Sequence, residues 1–236
     1  MFGSTLIIIL CLVFKQISDP TMRRAFSLFC GLSINFFVFG SCAACMLFVN
    51  IFVYLLMIMV PLKYQHLGVF LMAGLGLAGA QWHKMIYDYG MNGLNLPITM
   101  MFNYCRVSSL ACCIKDGAAI MAVRKSKGDD VARKIPLADL GVDLKKRELA
   151  HALEDVPTFF EFLSYLYFVG ACISGPWYEY NDFNDLINRQ GVYKDVPSTW
   201  KKSLLVYFEA WFCVVIGLIL GKILNKDYYL SDEFAA

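Results

Sequence analysis

The chain has 236 residues, of which 58% are hydrophobic and only 17% are charged, against about 45–50% and 25% in soluble domains. A water-soluble globule of this size cannot hide so much apolar surface, and a net charge of +2 gives no basis for binding a polyanion. A soluble enzyme and a nucleic-acid-binding protein are therefore poor interpretations. The composition predicts an all-α polytopic membrane protein, and the length allows about six or seven transmembrane helices.

The N-terminal third is predicted to contain three membrane segments. Met1–Phe14 is apolar and lacks both a basic region and a cleavage site, which favours a membrane segment over a signal peptide. After a polar connector at residues 15–24, Ala25–Leu62 contains no charged residue. As one helix this stretch would be about 57 Å long, too long to cross a hydrocarbon core of about 30 Å once. We therefore predict a turn near Gly40–Cys42 and two spans.

The middle of the chain is less regular. Lys63–His66 is predicted to be a polar connector, and Leu67–Trp82 is the next apolar stretch. Glycines, asparagines and a proline interrupt residues 83–97, and such backbone is tolerated at membrane depth only inside protein or beside water. We predict that His83–Leu96 is an interfacial or re-entrant stretch, followed by a span at Pro97–Ile114.

The last part of the chain is predicted to begin with an extramembrane loop. Arg124–Asp155 carries 15 charges in 32 residues, so residues 124–157 separate the first region, 1–123, from the last, 158–236. The last region is predicted to hold two more spans, Phe159–Tyr178 and Ser203–Ile223, and a short tail. The second of these spans contains the lone acid Glu209.

The basic residues predict the orientation. If the predicted spans alternate, 15 Lys and Arg fall on one side and 5 on the other, with Arg106 inside a span. The five are Lys84, Arg189, Lys194, Lys201 and Lys202. Because cytoplasmic loops carry the excess of basic residues, loop 124–157 is predicted to be cytoplasmic and the N-terminus luminal.

Familiar catalytic and metal-binding patterns are absent from the sequence. Cys42 and Cys45 form a C-x-x-C pair without a second pair or a nearby histidine, so we interpret them as structural. His66, His83 and His151 are the three histidines, and each is interpreted as an interfacial or solvated residue. We predict neither a metal site nor a bound cofactor.

Two places on the chain hold candidate site residues. Arg106 lies inside an apolar span and Asp116 ends it, followed by Gly117, which is predicted to terminate the helix. An intramembrane arginine usually faces a cavity or a partner, so the pair suggests a patch for a phosphate or another head group. Snorkelling of Arg106 and capping of the helix explain the same residues without a ligand.

The second place is the sequence Gly175-Pro176-Trp177-Tyr178-Glu179-Tyr180, where an apolar stretch leaves the membrane. The Gly-Pro pair breaks the helix, and Glu179 supplies a carboxylate. Gly175, Pro176, Glu179 and Tyr180 join Arg106 and Asp116 as candidates for a substrate chamber. An aromatic belt at the membrane interface is the simpler explanation of the tryptophan and tyrosines.

Taken in order, these segments resemble the membrane-bound O-acyltransferase (MBOAT) family, and its lysophospholipid acyltransferase branch most closely. The similarity extends over about Asp19–Phe183, with most of its weight after Ser109. The residues that carry it are Asp19-Pro20, Arg23-Arg24, Phe26-Ser27, Asp88-Tyr89, Met100-Met101, Ser109–Ala111, Asp116-Gly117, Val156–Thr158, Glu161–Leu166, Gly175-Pro176 and Glu179–Phe183.

The resemblance implies a partial MBOAT fold in the endoplasmic reticulum membrane. It further implies acyl transfer from acyl-CoA, as co-substrate, to a lysophospholipid hydroxyl. In the family a histidine in an apolar span is the general base, assisted by an asparagine, and such a base must reach the proton that it abstracts. Both lie downstream of the Gly-Pro segment, whereas all three histidines here precede it. We therefore identify no catalytic residue, and the chain looks like the N-terminal half of an acyltransferase.

Two further departures from the branch are Asn95, where it usually has Asp, and the missing Thr-Gly before Met100. An alternative hypothesis is therefore a non-catalytic relative that binds lipid or acts as a partner subunit. A small transporter ranks last, because no inverted repeat is visible. Membrane lipids are expected partners in each case; the oligomeric state is left open.

Overall fold

The computed structural model describes residues 2–87, 96–127, 148, 151–173, 175, 177–194 and 200–223. Its regular elements in this part of the chain are helices: α1 (Phe2–Gln16), α2 (Pro20–Phe39), α3 (Cys42–Met59), α4 (Leu62–Tyr87), α5 (Leu96–Lys127), α6 (Phe159–Leu166), α7 (Tyr180–Asn188), a 3-10 turn (Gly191–Tyr193) and α8 (Trp200–Ile223).

Three of these helices, α2, α3 and α8, are long and apolar enough to cross a membrane. The all-α membrane protein predicted from composition is therefore confirmed. The chain divides into two compact units, residues 1–191 and 192–236. The first holds α1 to α7, and the second holds α8.

Helices α2 and α3 form the hairpin that the sequence predicts. Asp19 caps α2 by accepting hydrogen bonds from the backbone N–H groups of Thr21 and Met22, and Pro20 occupies the first turn, where its missing N–H costs nothing. Gly40 ends α2 with φ of 55°, a conformation that glycine adopts without strain. Helix α3 starts at Cys42, so the predicted turn is confirmed.

The predicted polar connector Lys63–His66 is wrong, because these residues lie in the first turns of α4. The break between α3 and α4 lies instead at Val60 and Pro61. The carbonyl of Pro61 accepts hydrogen bonds from the N–H groups of Tyr64 and Gln65, which starts the new helix immediately. Helix α4 then continues through His83 to Tyr87, so the first residues of the stretch predicted to be interfacial or re-entrant are helical. Residues 88–95 lie outside the described residues.

Helix α5 does not end at Gly117 as predicted but continues to Lys127. The glycine serves a close approach instead: a Cβ atom at position 117 would lie 1.7 Å from the carbonyl oxygen of Leu153. The N–H of Leu153 also donates to the carbonyl of Cys113 at 2.9 Å. The C-terminal part of the charged loop thus lies directly against α5.

Phe159–Tyr178 is not the single membrane-spanning helix that the sequence predicts. Helix α6 ends at Leu166, and the residues described between 167 and 179 are irregular. The predicted helix start before Phe159 is confirmed, because Thr158 and Glu161 form a reciprocal capping box. Burial pushes the pKa of Glu161 up, but hydrogen bonds from Thr158 and Arg24 outweigh burial and leave the pKa lowered.

Residues 159–188 begin and end beside the same end of α2, and we call them the re-entrant segment for that reason. Near its start Glu161 pairs with Arg24, and near its finish the carbonyl of Ile187 accepts from Arg23 at 2.9 Å. In between, the carbonyl of Cys172 meets Asn35. Since Asn35 lies about 16 Å along α2 from Arg24 at 1.5 Å per residue, the chain runs along most of α2 and comes back.

Gly31 permits the close packing of α2 on the re-entrant segment, because a Cβ at that position would lie 1.8 Å from the carbonyl oxygen of Tyr167. We predict that Gly31→Ala destabilises the protein by about 1–3 kcal/mol through overpacking. The measurement is the midpoint of thermal unfolding in detergent micelles. Gly68→Ala is the matched control, since nothing lies within 4 Å of its added methyl. Equal midpoints for the two variants would contradict the prediction.

Candidate functional site

One face of α5 carries the polar side chains that contact the re-entrant segment. Arg106, Ser109 and Cys113 are spaced by three and four residues, so they lie on the same side of the helix. Arg106 and Cys113 are buried. The candidate site is therefore built where this face of α5 packs on residues 166–180.

Arg106 is 2% exposed and holds the irregular backbone in place. It donates hydrogen bonds to the carbonyls of Leu166 at 3.2 Å and Ala171 at 2.9 Å. Its guanidinium also lies 4.6 Å from the centre of the Tyr178 ring, within the range of a cation–π interaction. Arg106 therefore does not snorkel towards the membrane surface; its guanidinium stays inside the protein.

Tyr165 and Tyr178 fasten the two arms of the re-entrant segment to each other. The hydroxyl of Tyr178 donates to the carbonyl of Tyr165 at 2.7 Å, and the hydroxyl of Tyr165 donates to the carbonyl of Tyr178 at 3.0 Å. Their rings meet edge to face with centres 5.3 Å apart. The reciprocal pair fixes the ring on which Arg106 rests.

Glu179 is buried beside the same face of α5. Its carboxylate accepts a hydrogen bond from the hydroxyl of Ser109 at 2.6 Å, and the thiol of Cys113 lies 3.9 Å away. Tyr180, the next residue, starts α7 and packs its ring against those of Tyr165 and Phe183. Arg106 thus contacts Tyr178, and Glu179, the next residue in the chain, contacts the same face of α5. That these candidates line a substrate chamber stays a prediction.

The remaining predicted site residues take different places. A Cβ at Gly175 would lie 2.2 Å from the Cα of Ala171, so the glycine allows the backbone to fold tightly on itself. Pro176 lies outside the described residues. Asp116 is more than two turns beyond Arg106 on α5, beyond the predicted span. Its burial and the neighbouring carboxylate of Glu148 raise its pKa above the usual range.

Sequence reasoning did not identify a set of polar side chains that also hold the irregular stretch. The hydroxyl of Ser27 accepts from the N–H of Val169, and Thr99 donates to the carbonyl of Ile173 at 2.8 Å. Asn103 donates to Asn50 at 2.5 Å, and Asn50 donates to the hydroxyl of Tyr167 at 3.0 Å. The available signal was their setting: each is a polar residue with an apolar neighbour on both sides in the sequence.

This arrangement can hold the irregular backbone in place through hydrogen bonds. It also contains a buried cation, Arg106, and a buried carboxylate, Glu179. The three histidines lie elsewhere on the chain: His66 and His83 are in α4, and His151 is two residues before Leu153. Within the described ranges, no group of three or more His, Cys, Asp or Glu is arranged to hold a metal ion.

The amino-acid sequence matches a known membrane-protein family. Residues 100–229 match the model of the membrane-bound O-acyltransferase family, and they make up more than half of the chain. The chain therefore belongs to that family, which confirms the resemblance given by its sequence. A curated relative is lysophospholipid acyltransferase 6 of Drosophila melanogaster, 23% identical over 190 residues, which are 78% of this chain. The aligned region is 24% of that relative's length.

Arg106 offers a test of how the irregular backbone is held. We predict that Arg106→Leu lowers the free energy of unfolding by about 2–5 kcal/mol, because two buried carbonyls lose their donor. Arg189 also donates to two backbone carbonyls but is exposed, so Arg189→Gln is the matched control and should cost less than about 1 kcal/mol. Limited proteolysis between residues 167 and 179 would report the loosening. Unchanged protection in Arg106→Leu would show that other contacts suffice.

Proposed function

We propose that this protein acts in lysophospholipid acyl transfer, moving a fatty acyl group from acyl-CoA to a lysophospholipid hydroxyl in phospholipid remodelling. The observation that carries the proposal is the family match over residues 100–229, which includes Arg106, the re-entrant segment and Glu179. The similarity to a lysophospholipid acyltransferase supports the substrate class. The endoplasmic reticulum is the proposed membrane.

Within that reaction, the described residues are proposed to form the scaffold of the substrate chamber. Arg106 fixes the irregular stretch through two carbonyls, and Ser109 fixes the carboxylate of Glu179. None of the three histidines lies in the re-entrant segment, so the general base that the family uses is not assigned to any of them. The contribution proposed for this region is binding and orientation of the substrates.

The test uses membranes that carry the full chain, supplied with radiolabelled oleoyl-CoA and a panel of lysophospholipids with different head groups. Acyltransferase activity predicts labelled phospholipid above that of control membranes. A photoactivatable lysophospholipid, applied in parallel, reports binding separately from chemistry. We expect it to label the wild-type chain and Arg189→Gln equally, and to label Arg106→Leu several-fold less.

The two readouts separate the proposal from its alternative. Binding without acyl transfer would favour a non-catalytic lipid-binding or partner subunit. Neither binding nor transfer, with any head group, would overturn the proposal.

We also propose an orientation that follows from the re-entrant path. Both arms of residues 159–188 meet the N-terminal end of α2, so this segment does not pass from one side of the membrane to the other. The C-terminal parts of α3 and α5 both contact residues 154–157, which directly precede this segment. Tyr54 donates to the carbonyl of Pro157 at 3.1 Å, and Arg124 pairs with Glu154. The proposed cytoplasmic side therefore includes loop 124–157 and the residues directly after α7, with the N-terminus luminal.

The distribution of basic residues favours this orientation over one in which residues 159–178 cross the membrane. Arg189, Lys194, Lys201 and Lys202 move to the cytoplasmic side, while Lys222 and Lys226 leave it. The count of Lys and Arg then changes from 15 against 5 to 17 against 3. A larger excess on one side is what the positive-inside rule favours.

Protease sites inserted into the full chain in sealed microsomes test the orientation. We predict that a site after Tyr193 is cut without detergent, as is a control site after Asp130. A second control site, after Asn92, should be cut only once detergent opens the vesicles. Protection of the Tyr193 site would mean that residues 159–188 do cross the membrane.

A further inference from the structure

Among the buried polar atoms on α5 that have no hydrogen-bond partner within the described residues, two belong to residues only one turn apart. They are the side-chain oxygen Oδ1 of Asn103 and the Nε–H group of Arg106. The residues are 5% and 2% exposed, so neither atom is served by bulk water. A buried polar group without a partner carries a free-energy penalty, and two such groups this close together require an explanation.

The two side chains lie on the same face of α5, one turn apart. Residues three apart on a helix have Cβ atoms about 5–6 Å apart. Helical side chains lean towards the N-terminus, so the Arg106 stem, which carries Nε, leans over the turn that holds Asn103. Both residues also face the start of the irregular stretch: Arg106 bonds the carbonyl of Leu166, and Asn103 reaches Tyr167 through Asn50.

The remaining atoms of both groups are held firmly. Asn103 gives its Nδ2 to Asn50, and Arg106 gives its two terminal nitrogens to Leu166 and Ala171. What is left is one acceptor and one donor. The smallest group that satisfies both is a hydroxyl, which donates its proton to Oδ1 and accepts from Nε–H. A carbonyl or a phosphate would leave the Asn103 acceptor unmet.

We propose that Asn103 and Arg106 bind the hydroxyl group of a ligand between them, and that this hydroxyl is the free one of a lysophospholipid. The assignment rests on the proposed function for the source of the hydroxyl. A water molecule offers the same chemistry, and the experiment below separates the two. Hydrogen bonding to this pair would distinguish a lysophospholipid from a fully acylated phospholipid, which lacks the hydroxyl.

The experiment measures binding of two lipids to the full chain in nanodiscs: a fluorescent 1-acyl lysophospholipid with a free 2-hydroxyl, and its 2-methoxy analogue. The methoxy group keeps an acceptor but has no proton for Asn103. We expect the wild-type chain to prefer the hydroxyl lipid by about tenfold, the worth of one buried hydrogen bond. Asn103→Leu should remove the preference.

Thr99→Val is the matched control. Thr99 lies one turn before Asn103, is equally buried, and donates to the carbonyl of Ile173. This variant loses a hydrogen bond of the irregular stretch but should keep the tenfold preference, which distinguishes ligand binding from stability. Arg106→Lys, which keeps the charge and loses Nε, should weaken the binding of both lipids and keep the preference, because the hydroxyl and the methoxy oxygen both accept from Nε–H and only Asn103 requires the proton.

Equal binding of the two lipids by the wild-type chain would overturn the inference and assign the pair to a buried water. It would leave the proposed acyltransferase function standing, because lysophospholipid binding itself would still be seen. A preference that survives Asn103→Leu would overturn it as well, because another group would then read the hydroxyl. Failure to bind either lipid would overturn the inference together with the proposed binding role.

Discussion

The structure depends on one constraint: a backbone that is not helical must have its polar groups satisfied when it is buried beside membrane-spanning helices. The described residues between 167 and 179 contact α2, α3 and α5, and at membrane depth bulk water is not available to supply their hydrogen bonds. The neighbouring helices supply them instead. Ser27 meets an N–H group of this stretch, and Asn35, Thr99 and Arg106 meet its carbonyls. The irregular stretch exists because these side chains replace the hydrogen bonds of a helix.

This requirement explains why isolated polar residues occur in otherwise apolar helices. Asn50 lies at the middle of α3 and is fully buried, which is costly unless it bonds. It links Asn103 on α5 to the hydroxyl of Tyr167 and so connects three parts of the chain. Glycine contributes by allowing close approach rather than by hydrogen bonding. The absence of a side chain at Gly31 lets the backbone of α2 pack directly against the backbone of Tyr167.

The sequence was sufficient for features that depend on local patterns. The turn near Gly40 follows from an uncharged stretch too long for one crossing, and the membrane class follows from composition. The span at 159–178 was predicted wrongly because hydropathy records how apolar a stretch is, not whether its backbone has partners elsewhere. Those partners are up to 142 residues away, as for Ser27 and Val169. The re-entrant behaviour could not be read from local sequence for that reason.

Arg106 shows the same limit at the level of a single residue. From sequence it was a charge inside an apolar span, with a head-group patch or snorkelling as its possible roles. The structure shows a third role, in which a cation binds backbone carbonyls and the face of Tyr178. Arginine suits this position because its guanidinium stays charged and its donors point in several fixed directions at once. Lysine would bring the same charge without that geometry. The donors that hold the re-entrant segment are the two terminal nitrogens, which leaves Nε without a partner among the described residues. One side chain can therefore serve both the fold and a ligand.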